Sequence, residues 1–322
     1  MIVVWQVTER CNLSCPFCGF DRNLARPRNE ADPLRIRQFG RVLAQYQRET
    51  GDSVLVSWLG GEPLLWAPLG GISVHYSGEL ALRLATTTNG TTLGSAAVRG
   101  HLLKSYAELT ISVDAPGEAH DRMRGAPGLY AALSRDFRRL VDERDRTGSP
   151  LRLRANVVLM RRTLGTFERL CRELAAWGID EISLNQLGGN DRPEFYPAQR
   201  LASADTAFLE ATLPSLREEL ERDGVRLLGT AGYLRRMAAS SRNERIPIQD
   251  CRPGTNFLFI DIQGRIAPCS FTAGTHGVSV AEITSAEALR QLPARFAASI
   301  PLRRPVVCAD CLSTQVFGKF AA

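Results

Sequence analysis

The chain has 322 residues, 44% of them apolar and 7% aromatic, with a formal charge of +6. That apolar fraction supports a sizeable core and excludes a disordered chain, and no run of 18 apolar residues offers a membrane span. Lys104 and Lys319 are the only lysines among 40 basic side chains, and the arginines alternate with acids, as over residues 138–144, instead of forming a patch, which argues against nucleic acid as a partner.

Apolar or β-branched runs at residues 2–7, 53–58, 82–87, 109–113, 153–159 and 181–186 read as strands, and helical patterns separate them. This alternation predicts βα units and a parallel sheet. Asp32-Pro33 is an N-cap followed by proline, opening a helix to about residue 50 before Gly51. Similar helices are predicted over 129–147, 166–177 and 202–223, with Gly178 and Gly224 as stops. Residues 63–79 are the weakest helical stretch, since Gly70-Gly71 is expected to break it. After residue 190 the strand rhythm lapses, and 256–262, Gln263-Gly264 and 265–269 read as a hairpin. The chain starts directly in a strand, without a basic leader or apolar h-region, so a soluble, cytoplasmic protein is expected.

Eight cysteines without a secretory signal point to metal or catalysis and away from disulfides. Cys11, Cys15 and Cys18 follow the first strand within eight residues. Three thiolates so spaced can wrap one face of a [4Fe–4S] cube and leave one iron open. A structural zinc knot would need a fourth close ligand, and the nearest histidine is His75. Cys251, Cys269, Cys308 and Cys311 gather near the other end, and Cys171, on the apolar side of a helix, reads as core.

The CxxxCxxC motif behind a first strand resembles the radical S-adenosylmethionine (SAM) superfamily. The resemblance implies that the open iron binds SAM and that an electron from the cluster cleaves it to a 5′-deoxyadenosyl radical. Gly60-Gly61-Glu62-Pro63 resembles the family's GGEP segment, which implies that its backbone and Glu62 meet the SAM amino group; Phe17 resembles the aromatic that packs near the adenine. Thr88-Asn89-Gly90, Ser112 and Asp114, and His120-Asp121 with Arg124-Gly125 look like stretches of the subfamily with C-terminal clusters. Asn89, Ser112 and Asn156 thereby join the expected cofactor contacts, while Asp114, Arg124, Asn185 and Asp191 are candidate substrate contacts. Turn residues and strand-end caps are the alternative reading of each.

Cys251, twelve residues, Gly264, four residues and Cys269, with Cys308-Ala-Asp-Cys311, resembles the shorter Twitch form of the SPASM/Twitch subfamily. It implies an auxiliary [4Fe–4S] cluster on four thiolates. The expected fold is α/β: a partial (βα)6 TIM-like barrel over residues 1–200, a helical linker over 201–245, and a C-terminal Twitch auxiliary-cluster domain over 246–322. The layout is similar to radical SAM enzymes that act on aminoglycosides and aminocyclitols, such as the aminocyclitol dehydrogenase of the butirosin pathway. The expected reaction is oxidation of a secondary alcohol on a polar small molecule, the auxiliary cluster accepting an electron and a flavodoxin or ferredoxin supplying the reducing one. Three alternatives stand beside it: an epimerase with Cys251 as hydrogen donor, a ribosomal-peptide-modifying enzyme, and an iron–sulfur electron carrier or sensor.

Overall fold

The computed structural model describes residues 1–319. Strands β1 (Ile2–Thr8), β2 (Leu55–Gly60), β3 (Arg83–Thr88), β4 (Glu108–Ser112), β5 (Arg152–Leu159) and β6 (Glu181–Gln186) pair in sequence order, all parallel. A short β7 (Arg226–Leu228) extends the sheet beyond β6. It lies where the sequence suggested only helix, because three residues between a glycine turn and the next helix give no periodicity to read. The C-terminal strands β8 (Phe257–Ile260), β9 (Arg265–Ala267) and β10 (Val278–Ser279) complete a ten-stranded sheet in the order β10-β9-β8-β1-β2-β3-β4-β5-β6-β7. The predicted hairpin is β8–β9, and β8 pairs parallel with β1.

Side-chain alternation decides the two faces of this sheet. On β5, Leu153, Ala155, Val157 and Leu159 are buried in a core shared with Leu133, Phe137 and Leu140 of the helix Leu129–Thr147 and with Phe167, Leu170 and Leu174 of the helix Phe167–Ala175. Cys171 belongs to that core and is fully buried. Arg152, Arg154, Asn156 and Val158 point the other way, to a face lined with polar groups. A helix-covered outer face and a polar inner face are those of an α/β open barrel.

The helix Pro33–Thr50 starts where the sequence predicts, the Asp32 carboxylate accepting from Leu34 N at 2.9 Å, and ends at Gly51 with φ 76°. Gly70-Gly71 does not break its segment: both lie in the helix Leu69–Val74, which buries Leu69 and Ile72. A helical glycine costs about 1 kcal/mol, less than those two apolar anchors return. Among the described residues no helix is long and apolar enough to cross a membrane.

Candidate active site

The loop after β1 carries Cys11, Cys15 and Cys18. It is held from outside by Arg28, whose guanidinium donates to the carbonyls of Glu9, Phe20 and Leu24, each at 3.2 Å, and to that of Asp21. Cys15 is buried and the other two are half-buried. Burial pushes the Cys15 thiol up to about 12, against the pull of Arg124, and raises Cys11 and Cys18 as well. Near neutral pH such thiols give up their protons only to a metal. Their sulfurs are nonetheless already addressed by donors: Leu13 N lies 3.5 Å from Cys11 Sγ, Phe20 N 3.4 Å from Cys18 Sγ, Asn89 Nδ2 3.7 Å from Cys11 Sγ and Arg124 Nη1 3.9 Å from Cys15 Sγ. Sulfurs ringed by N–H groups suit thiolate ligands of an iron–sulfur cluster. Among the described residues no three His, Cys, Asp or Glu converge on a point that a single ion could occupy. A cube asks its ligands to surround a volume instead.

The glycine pair closes the loop against β2. A Cβ on Gly60, which has φ 152°, would lie 2.2 Å from the Thr8 carbonyl oxygen, and one on Gly61 would lie 2.1 Å from that of Arg10. In return Gly61 N and Glu62 N donate to those carbonyls at 2.9 and 2.8 Å. Glu62 departs from the expectation of a carboxylate open to an ammonium. It is fully buried, and its oxygens accept from Thr88 Oγ1 and Asn89 N at 2.7 Å each and from Leu64 N at 3.1 Å. Burial raises its pKa to about 7 despite these bonds. Glu62 therefore fastens the ends of β2 and β3 together, with Pro63 starting the next turn. Asn89 passes the connection on, donating to Asn12 Oδ1 at 2.9 Å, while Asn12 donates to Thr91 Oγ1 at 2.9 Å. Asn12 went unnoticed in the sequence; its place inside the cysteine motif was the available signal.

Asp114 and Arg124, expected to meet substrate, instead meet each other. They form a buried ion pair at 2.6 Å. Asp114 also accepts from Val158 N at 3.0 Å, and the Arg124 guanidinium stacks 5.4 Å from the centre of the Phe17 ring. Asp114 holds the Arg124 pKa above its ordinary value. The pair thus supports the cysteine loop through Cys15 and Phe17. Phe17 packs on its other side against Phe195, with ring centres 6.2 Å apart. Asp191 is exposed at the rim of the loop, where a Cβ on Gly19 would lie 3.3 Å from it, and its neighbour Arg192 pairs with Asp21 at 3.0 Å.

Ser112, Asn156 and Ser183 stand side by side in register on the inner face. Asn156 Oδ1 accepts from Ser183 Oγ at 3.0 Å and from Asn185 Nδ2 at 2.8 Å. Lys319, which sequence reading passed over, comes in from the C-terminal segment and donates to Asn185 Oδ1 at 2.5 Å. Burial, with Arg154 nearby, lowers its pKa to about 7. Closer to the strand starts runs a ladder of charges: Arg83–Glu108 at 3.4 Å, Glu108–Arg154 at 3.5 Å, Arg154–Glu181 at 2.6 Å and Arg226–Glu181 at 3.3 Å. A charged residue at or near the start of each of these strands was the sequence signal for it.

The distal cysteines come together. Cys251, Cys269, Cys308 and Cys311 line one cavity of about 340 Å³, with Cys251 the exposed member. Burial raises the thiols of Cys251, Cys308 and Cys311, and each is raised further by neighbouring thiols of the set. Ser313 N addresses Cys311 Sγ at 3.4 Å, and Thr272 Oγ1 lies 3.4 Å from Cys269 Sγ. Four thiols around one space suit a cluster with a protein ligand on every iron.

Residues 5–130 match the Radical SAM superfamily. The AdoMet-dependent heme synthase of Methanosarcina barkeri (strain Fusaro / DSM 804) is 26% identical over 289 residues, covering 84% of this chain and 76% of that protein. That of Oleidesulfovibrio alaskensis is 26% identical over 292 residues, covering 84% and 69%. Among solved structures, Streptococcus suis SuiB bound to S-adenosylmethionine superimposes with a TM-score of 0.67 at 17% identity over 97% of this chain and 72% of that one. Native anSMEcpe with bound AdoMet and Cp18Cys peptide does so with a TM-score of 0.65 at 14% identity, over 96% and 87%. At such identities these two speak for the fold. The motif, the sulfur environment and the matched segment agree: over residues 5–130 the chain is similar to the Radical SAM superfamily, a family that implies a [4Fe–4S] cluster and SAM.

Proposed function

We propose that this protein uses a SAM-derived radical to take hydrogen from a hydroxyl-bearing carbon of a polar small molecule and passes the substrate's second electron to an auxiliary cluster while the hydroxyl proton is lost to water, oxidising the alcohol to a ketone. The observation carrying this reading is the set of four distal thiols around a cavity of about 340 Å³. A cluster ligated on every iron can take up an electron but offers no site to SAM. In this reading Cys11, Cys15 and Cys18 hold the SAM cluster within residues 1–200, residues 201–245 link the two parts, and 246–322 carry the second cluster. Phe17, the Gly60–Pro63 backbone, Asn89, Ser112 and Asn156 border the cofactor, Asp191 remains open to substrate, and Asn185 meets substrate by exchanging its bonds to Asn156 and Lys319. When bound, the cofactor supplies the 5′-deoxyadenosyl radical; the chain's part is to aim one C–H bond at it.

The inner face bears on the substrate. Glu108 and Glu181 stand there against Arg83, Arg152, Arg154 and Arg226. Guanidinium groups on this face suit a carboxylate-bearing substrate better than an aminoglycoside, rich in ammonium groups. The heme synthase relatives lean the same way, since tetrapyrroles carry carboxylates. SuiB and anSMEcpe share only the fold, so a peptide substrate gains nothing from them.

Anaerobically reconstituted protein with SAM and a reductant is expected to bind about eight irons per chain and to release 5′-deoxyadenosine. An aminoglycoside and a hydroxyl-bearing carboxylate, each offered as substrate, should differ in turnover in favour of the latter. A product lighter by two hydrogens supports oxidation. Unchanged mass with one deuterium from D2O solvent would instead support epimerisation with Cys251 as donor, and absence of SAM cleavage would leave an electron carrier.

A further inference from the structure

Arg236, on the helix Ala231–Ser241, is 1% exposed, one of the most deeply buried charges among the described residues. Its Nη1 lies 2.6 Å from Asp310 Oδ1, but none of Nε, Nη1 and Nη2 has an aligned hydrogen-bond acceptor among the described residues. Asp310 is itself 41% exposed at its side chain, and its Oδ1 also accepts from Ile246 N. One such carboxylate compensates a buried guanidinium poorly, because each unpaired N–H keeps its desolvation cost. Arginine's fork of five donors implies further acceptors nearby.

The place of Arg236 says which acceptors. Asp310 is the residue before Cys311 in Cys308-Ala-Asp-Cys311, and the Arg236 charge draws the Cys311 thiol down against the burial that raises it. Cys311 lines the four-thiol cavity with Cys251, Cys269 and Cys308. Arg304 also draws down Cys308, but is itself exposed.

We infer that Arg236 is a positioning and charge-tuning residue of the distal site, its unused N–H groups turned to the sulfurs of an iron–sulfur cluster on Cys251, Cys269, Cys308 and Cys311. This rests on the auxiliary cluster proposed above. A reduced cluster carries one more negative charge than an oxidised one, so a buried guanidinium beside it favours reduction. Arg236 thereby makes the distal site a better acceptor for the electron that leaves the substrate.

The test is a reductive titration of the reconstituted full chain, followed by electron paramagnetic resonance, with iron content measured in parallel. Wild type should hold about eight irons and show two signals, one of which is lost when the four distal cysteines are replaced. Arg236→Met should lower the distal potential so that its reduced fraction at fixed potential falls about tenfold, or about 59 mV for one electron, with the SAM cluster unmoved. Asp310→Asn separates tuning from loop support, since it removes the ion pair and keeps the guanidinium. A downward shift there as large as in Arg236→Met, or no shift in Arg236→Met, overturns the inference and leaves the alcohol-oxidation reading standing. Should Arg236→Met lose the cluster, Arg236→Lys decides: a lowered potential supports the fork of donors, and a wild-type potential refutes it. A wild type with about four irons removes the auxiliary cluster, and the inference with it.

Discussion

Glu62 shows how a residue of a cofactor motif can serve the scaffold. Its carboxylate is sealed between β2 and β3, with a pKa raised by burial from 4.5 to about 7. Below pH 4.5 folded and unfolded chains both hold the proton. Between 4.5 and about 7 only the folded chain holds it, so stability falls as pH rises through this window and levels off above it. The full difference is about 3 kcal/mol at 1.36 kcal/mol per unit. Melting of the metal-free protein followed by circular dichroism should therefore lose ground between these pH values in wild type. Glu62→Gln, neutral throughout, should flatten that dependence while melting lower overall, because its amide has one acceptor oxygen where the carboxylate uses both, one for Asn89 N and the other for Thr88 Oγ1 and Leu64 N. An equally steep pH dependence in the variant would remove Glu62 as its source. Gly61 gives a companion prediction: Gly61→Ala sets a methyl 2.1 Å from the Arg10 carbonyl oxygen. Overpacking of this kind costs about 1–3 kcal/mol, and the displaced cysteine loop should show reduced iron uptake on reconstitution.

At the scale of elements, the six strands and four long helices were legible because each carries its own local signal: an apolar run, an Asp-Pro start, a glycine stop. β7 and the helix through Gly70-Gly71 were not, since tertiary packing made them where local preference was silent or contrary. The cysteine sets were legible from spacing alone. The roles of Asp114, Arg124 and Glu62 were not, because which way a side chain turns depends on register between strands distant in sequence. Arg236 was hidden for the same reason, as one arginine among many on a helix expected only to link. That helix does more than link: Tyr233 Oη accepts from Gln186 N at 2.9 Å at the end of β6, while Arg236 reaches Asp310 beside Cys311. Tyr233→Phe leaves a half-buried backbone N–H without its partner, at a cost of about 1–3 kcal/mol. Chemical denaturation should show that loss. If the helix sets the spacing between the barrel and the distal site, the same variant should also slow the proposed electron transfer from substrate radical to an auxiliary cluster, read as more 5′-deoxyadenosine released per product formed.

For the whole molecule, the decisive feature is that one sheet runs through both cysteine regions. β1, which leads into the loop of Cys11, Cys15 and Cys18, pairs on one side with β2 and on the other with β8, through Ile2↔Phe257, Val3↔Leu258, Val4↔Phe259 and Trp5↔Ile260. Leu258, Ile260, Ile266, Leu289 and Phe296 are buried in the same core as Val3 and Trp5, and Arg290 pairs with Glu49 of the helix Pro33–Thr50 at 3.1 Å. The C-terminal strands are therefore built onto the first strand of the sheet. A chain ending at residue 245 would expose the full edge of β1, a row of unpaired backbone groups flanked by apolar side chains, and such edges recruit other chains. Expressed alone, residues 1–245 should be aggregated or melt without cooperativity, and should take up iron poorly, although all three cysteines of the SAM loop are present. A soluble, cooperatively melting 1–245 fragment that binds about four irons and cleaves SAM would show instead that the barrel folds independently and that the β1–β8 pairing is a docking contact between two domains.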